Sequence, residues 1–106
     1  MKNRAINALI EMGMPADLKG FKYIVDMMVL YQDEDERFAG VISNYITIAQ
    51  KRKTTASKVE RAIRHAFSIV LTKGDLKAVE KYLSLQQTTN GNLLHVLYIR
   101  LTQEVE

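Results

Sequence analysis

The sequence contains no cysteine. That excludes disulfides, thiolate catalysis and zinc–cysteine sites, and it fits a reducing compartment. It also lacks an apolar run of transmembrane length, and Asn3, Arg4, Asn7 and Glu11 interrupt the N-terminus where a signal peptide needs continuity. A soluble, cytoplasmic protein is expected. The two histidines, His65 and His95, stand thirty residues apart with no metal-ligand spacing. The five glycines form no phosphate-binding loop, and no nucleophile elbow is present. Catalysis finds no support, and no cofactor or metal is expected. His95, on an apolar segment, reads as a partly buried structural residue. Linkers, repeats and low-complexity segments are missing as well, so the 106 residues read as one domain, 1–106.

What is present is ordinary globular composition, 47% hydrophobic and 25% charged, with an uneven charge distribution. Residues 1–50 carry five Lys/Arg against seven Asp/Glu, and residues 67–106 carry four of each. Residues 51–66 carry Lys51, Arg52, Lys53, Lys58, Arg61 and Arg64 against Glu60 alone, a net +5. The positive excess is confined to sixteen residues, as a polyanion-binding site requires.

The hydrophobic spacing predicts an all-α bundle of about six helices. Asn3 to Met12 places Ile6, Leu9 and Ile10 on one face, with Gly13 as a C-terminal stop. Pro15 suits the first turn of a second helix, with Asp17 near its N-terminus; Leu18, Phe21, Ile24, Val25, Met28 and Val29 continue it toward Tyr31. The acids Asp33 to Glu36 lack the ligand spacing of a calcium loop and instead favour a helix N-terminus ahead of Phe38, Val41 and Ile42. A short helix follows from Tyr45 to Arg52, with Tyr45, Ile48 and Ala49 inward. The hydroxyls of Thr54 and Thr55 offer caps to a longer helix from Ala56 to Lys73, closed by Gly74. Asp75 caps a helix carrying Leu76, Val79, Tyr82 and Leu83. A polar loop runs from Gln86 to Gly91, and the apolar stretch Leu93 to Leu101 is assigned to a last helix.

Residues 45–68 carry the chemistry. A short helix, a tight turn at Lys53–Thr55 and an amphipathic helix make a helix-turn-helix pattern, although the expected turn glycine is missing. Val59, Ala62, Ile63, Ala66 and Ile69 or Val70 recur at three-four spacing and face inward. Ser57, Lys58, Arg61, Arg64, His65 and Ser68 fall on the opposite side. Residues near the start of such a helix point into the major groove, where Lys58 and Arg61 are placed to hydrogen-bond guanine. Arg64, one turn on, reaches a base edge or a phosphate. Lys51, Arg52 and Lys53 meet backbone phosphates. Glu60 has two readings: a Ser57-x-x-Glu60 capping box, favoured on pattern, or an acceptor for cytosine, with pairing to Lys58 or Arg61 as a further role. An acidic protein partner is nearly as well supported by these residues as DNA. A membrane ranks lower, because the small apolar face is needed for the core.

The segments GMPADLKGFKYI (13–24) and TTASKVERAIRHA (54–66), the Gly74-Asp75-Leu76 turn, Thr89-Asn90 and Arg100-Leu101 together resemble one family. It is the C-terminal DNA-binding effector domain of the sporulation-initiation, or stage zero, response regulators. The resemblance implies a six-helix bundle with a central helix-turn-helix, and a transcription regulator that binds TGTCGAA-like boxes, often in tandem. It implies base reading by Lys58, Glu60 and Arg61, with Arg64 and His65 as supporting or phosphate contacts. Lys51, Arg52, Lys53, Thr55, Ser57 and Ser68 complete the expected backbone and supporting set. The partners it implies are double-stranded DNA, RNA polymerase sigma factor near the helix after Gly74, and a second copy head-to-tail on tandem sites.

The sequence departs from that family at Lys58, where arginine is usual, at Ile46 for proline, at Arg52 for phenylalanine and at Leu71 for tryptophan. A lysine at 58 replaces a planar bidentate donor with a flexible point charge. The phosphoacceptor receiver domain that normally precedes this module does not fit within 106 residues. An effector fragment and a natural single-domain relative both remain open, as does a helical protein-interaction module that kept the fold without specific DNA reading.

Overall fold

In the computed structural model, which describes residues 1–103, every regular element is helical. The order is α1 (Lys2–Glu11), α2 (Lys19–Leu30), α3 (Glu34–Arg37), α4 (Val41–Arg52), α5 (Ala56–Lys73), α6 (Leu76–Tyr82) and α7 (Asn90–Gln103). Six are substantial and α3 is a single turn, which matches the all-α bundle expected from spacing.

The end of α1 shows how local sequence sets a boundary. Gly13 takes φ +89°, its N–H donates to the Ile10 carbonyl at 2.9 Å, and the Met14 N–H donates to Leu9 at 3.0 Å. Those two bonds satisfy carbonyls that a helix end otherwise leaves open, and glycine enters the left-handed region without a Cβ clash. Along α1 the inward positions are Ala5, Ala8 and Leu9, whereas Ile10, expected inside, is exposed.

Four boundaries differ from the sequence expectation. α2 begins at Lys19, not at Pro15: residues 15–18 form a turn closed by Leu18 N–H to Pro15 O at 3.4 Å, and Leu18 is extended. The acids do head a helix, with the Asp33 carboxylate accepting from the Asp35 and Glu36 N–H groups at 2.9 and 3.3 Å. That helix ends at Arg37, and Gly40 at φ +100° separates it from α4. α4 then starts four residues before Tyr45, and Ile46, which has the backbone N–H a proline lacks, lies within an unbroken helix. Asn90 and Gly91, expected in the polar loop, already belong to α7.

α2 is buried on most sides and packs against α1, α4, α5 and α7. Its closest neighbour is α5. A Cβ built on Gly20 would lie 2.1 Å from the Ala62 carbonyl oxygen and 2.7 Å from the Ala66 Cβ, so only glycine permits this approach. Phe67, which the three-four count passed over, is buried with Val59, Ile63, Ala66 and Val70. Leu93, Leu94, Leu97 and Leu101 bring α7 into the same core, which makes the ambiguous apolar stretch a buried helix. On α6, Asp75 caps through Ala78 N–H at 3.0 Å, and Ala78, Val79 and Tyr82 face inward. Leu76 does not; it is 63% exposed.

Around Tyr31 the core is aromatic. His95 stacks on its ring at 5.0 Å, Tyr98 meets it edge-on at 5.9 Å, and Arg37 donates to the Tyr31 carbonyl and the Tyr98 hydroxyl. Burial pushes the Tyr31 hydroxyl up to about 12. Burial, helped by the Arg37 charge, holds His95 below its ordinary value of 6.5.

Gly20→Ala is expected to lower stability by about 2 kcal/mol in urea titration, since overpacking outweighs the helix propensity gained. Gly91→Ala, whose Cβ would meet Val41 at an ordinary 3.8 Å, should change stability by under about 1 kcal/mol, in the favourable direction. For His95 the unfolded chain binds the proton first as pH falls. Stability should therefore decline as pH drops through 6.5 and level off below the folded value, and His95→Phe should remove that slope in pH-dependent melts.

Candidate nucleic-acid interface

Residues 53–55 join α4 to α5, and their geometry makes the helix-turn-helix. Lys53 occupies the left-handed region (φ 56°, ψ 47°), and the Thr54 N–H donates to the Ala49 carbonyl at 3.0 Å. A lysine thus does the work expected of the missing glycine, at a cost of roughly 1–2 kcal/mol in backbone strain. Thr55 is extended and is the N-cap of α5, its hydroxyl accepting from the Lys58 N–H at 3.2 Å. This overturns the Ser57-x-x-Glu60 capping box. Thr55 already holds the cap, so Ser57 lies inside the first turn and Glu60 is too far along to reach back.

α5 keeps the predicted bounds and the predicted sides. Val59, Ile63, Ala66, Phe67 and Val70 are buried, while Ser57, Lys58, Arg61, Arg64, His65 and Ser68 are exposed on the other face. From Ser57 to Ser68 that face runs about 16 Å at the helical rise, enough to lie along a major groove. Its polar groups differ in how free they are. Ser68 donates its hydroxyl to the His65 carbonyl at 2.7 Å. Arg64 pairs with Glu60 at 3.0 Å, so Glu60 engages neither Lys58 nor Arg61. Among the described residues, Lys58 and Arg61 have no ion-pair or side-chain hydrogen-bond partner.

The cations of α4 are arranged otherwise. Arg52 reaches back to Asp26 of α2 with two parallel bonds, Nε to Oδ2 at 2.7 Å and Nη2 to Oδ1 at 2.8 Å. Lys51 stands 3.7 Å from the same carboxylate, and Asp26 is only 7% exposed. Where the resemblance implies a phenylalanine, Arg52 therefore joins α4 to α2 by a fork-to-carboxylate pair, and its charge is largely matched internally. Lys53 projects from the turn, exposed and without a partner among the described residues.

Two residues that sequence reasoning passed over support this arrangement. Asp26 interrupts an otherwise apolar run of α2, and that lone acid was its only signal. Asn90, the first residue of α7, donates to the Tyr45 hydroxyl at 3.2 Å and to the Glu60 carbonyl at 3.1 Å. One amide thereby ties α7 to both motif helices. Thr89-Asn90 carries part of the resemblance, but this tie was not readable, because its partners lie 45 and 30 residues away.

A helix-turn-helix with an exposed cationic face is an arrangement suited to a polyanion. Residues 5–101 match the family described as Sporulation initiation factor Spo0A C terminal. The chain belongs to that family. The Spo0A C-terminal family comprises DNA-binding effector domains that regulate transcription rather than catalyse reactions, so this chain is a DNA-binding regulator acting on duplex DNA. The match spans nearly all the helices described above, α5 included. Among the described residues no helix is long and apolar enough to cross a membrane.

Arg52→Ala leaves Asp26 buried with only the more distant Lys51. Stability should fall by about 1–2 kcal/mol, the lower part of the range for charged hydrogen bonds because Arg52 is about one-third exposed. Arg52→Lys should recover little of it, since a point charge cannot occupy both carboxylate oxygens. Paired thermal melts of the two variants measure this.

Proposed function

We propose that this chain recognises a TGTCGAA-like box by inserting the N-terminal half of α5 into the major groove. The observation that carries the reading is the state of Lys58 and Arg61. Both are exposed within two turns of the α5 N-terminus, unpaired among the described residues, on a helix whose other face is locked in the core. Free donors at that position suit the O6 and N7 acceptors of guanine. Lys58 supplies a single flexible charge and Arg61 a bidentate fork, so Arg61 carries more of the discrimination. Glu60 turns toward Arg64 in the free protein, and its exchange from that partner to a cytosine amino group accompanies binding. Arg64 and His65, with Ser57, Ser68 and the α5 cap Thr55, make the supporting contacts. Lys51 and Lys53 hold backbone phosphates, and Arg52 acts by fixing the angle of α4.

The exposed Leu76, beside Lys77 and Glu80 on α6, supports a protein-contact surface there, with sigma factor of RNA polymerase as its occupant. Tandem boxes would seat two copies head-to-tail. The reading as a protein-interaction module without DNA specificity is disfavoured by the free Lys58–Arg61 pair.

Fluorescence anisotropy of a labelled duplex carrying the box, against a scrambled duplex across a salt series, tests the reading. A preference of tenfold or more, about 1.4 kcal/mol, is expected. Arg61→Ala should cost roughly 1–3 kcal/mol on the box and relax base choice, whereas Lys51→Ala should weaken both duplexes alike. Intact preference in Arg61→Ala would sink the base-reading assignment.

A further inference from the structure

A second group of cations, remote in sequence from residues 51–66, lies beside the helix-turn-helix. Lys19, Lys22 and Asp26 share one face of α2 at i, i+3 and i+7 spacing, and Arg52 from the end of α4 lies on that face through its paired bonds to Asp26. Lys19, Lys22, Tyr23 and Arg52 line a concave notch of about 130 Å³. Neither lysine has an ion-pair partner among the described residues, and Tyr23 contributes a phenolic hydroxyl able to donate. The acids nearby are two. Asp26 is held by Arg52 and Lys51, and Asp17 is exposed in the turn before α2.

We infer that this notch holds a backbone phosphate of the bound duplex, so that Lys19 and Lys22 extend the DNA footprint from α5 across the turn onto α2. The inference rests on the reading of α5 as the groove-entering helix. With α5 in the groove, the strand bordering the groove passes the α4–α5 turn, where Lys51 and Lys53 stand. The notch continues from that turn through Arg52. Two ammonium groups, a hydroxyl and the edge of a guanidinium provide several donors, and none of the lining side chains is an acid, which suits a phosphate and carries no base information. Arg52 has a defined part here. By matching Asp26 it neutralises the buried acid beside the notch, leaving only the solvated charge of Asp17 in the preceding turn, and by tying α4 to α2 it holds the two sets of cations side by side. The Gly20 contact with Ala62 fixes the start of α2 against α5, so the distance between notch and recognition face is set by packing.

The test compares wild type with Lys19→Gln/Lys22→Gln on the box and scrambled duplexes across a salt series. Both lysines are exposed, and unchanged melting and circular dichroism check that the variant folds. The variant should lose affinity for both duplexes by the same factor, keep the box-to-scrambled ratio, and show a salt slope shallower by about one to two units, at roughly 0.9 per phosphate. An unchanged slope and affinity overturns the inference alone. A collapsed ratio overturns it too, because the lysines would then be reading sequence. Failure of the wild type to bind either duplex overturns the α5 reading and this inference with it. Titrating the free domain with inorganic phosphate, followed by amide shifts of Lys22 and Tyr23, separates the sources. Saturation at low millimolar phosphate overturns the assignment in favour of a free anion, and its absence supports the duplex.

Discussion

A methyl group added at Gly20 would sit 2.1 Å from the carbonyl oxygen of Ala62, closer than any real Cβ comes to a backbone atom. At this point α2 and α5 meet almost backbone to backbone, with Ala62 and Ala66 the residues that Gly20 faces. The orientation of the cationic face follows from that closeness. It presses the inner face of α5 into the core, leaves the outer face clear, and sets the start of α2 beside α5. Ridges of larger side chains would hold the two helices farther apart and let α5 rotate about its axis.

Electrostatics then sorts the basic residues that packing has brought together. The segment 51–66 carries a net +5, but its six cations are not equivalent. Arg64 is matched by Glu60 within the segment, and Arg52 by Asp26 from outside it. Lys53, Lys58 and Arg61 remain unmatched among the described residues. Arg52 thus ties α4 to α2, with Lys51 standing farther from the same carboxylate, while Arg64 is matched only along the surface of α5. The division fits their chemistry, since a planar fork suits a fixed carboxylate and a flexible ammonium suits a screened phosphate.

Much of the fold was legible along the chain, and the successes and failures have physical causes. α5 was bounded correctly because Thr55 and Gly74 are local signals whose action needs no distant partner. The α6 cap at Asp75 was legible for the same reason. α2 was placed too early because Pro15 and Asp17 are good first-turn residues in general, yet here they build a separate turn. α4 was placed too late because its inward positions were counted from Tyr45, while no side-chain cap marks its start at Val41. Ile10 and Leu76 satisfy the hydrophobic period and are nevertheless exposed, since a helix meets only as many neighbours as the bundle supplies. Of the candidate site, the membership of the α5 face was readable from spacing. The pairing of Arg52 was not, because Asp26 is twenty-six residues from its partner; the Glu60–Arg64 pair stands at i,i+4 and was within reach of spacing, although Lys58 and Arg61 were considered instead.

By itself the sequence determined what short-range physics controls. It set the helical class, the long capped helix α5, the cationic face along it and the family to which 54–66 points, because caps, periodicity and side-chain charge act within a few residues. Only the tertiary structure decided which charges stay free, that Lys19 and Lys22 stand beside the turn, and that Asn90 clasps both motif helices. Those outcomes depend on contacts between residues dozens of positions apart, and their geometry exists only once α2, α4, α5 and α7 have packed.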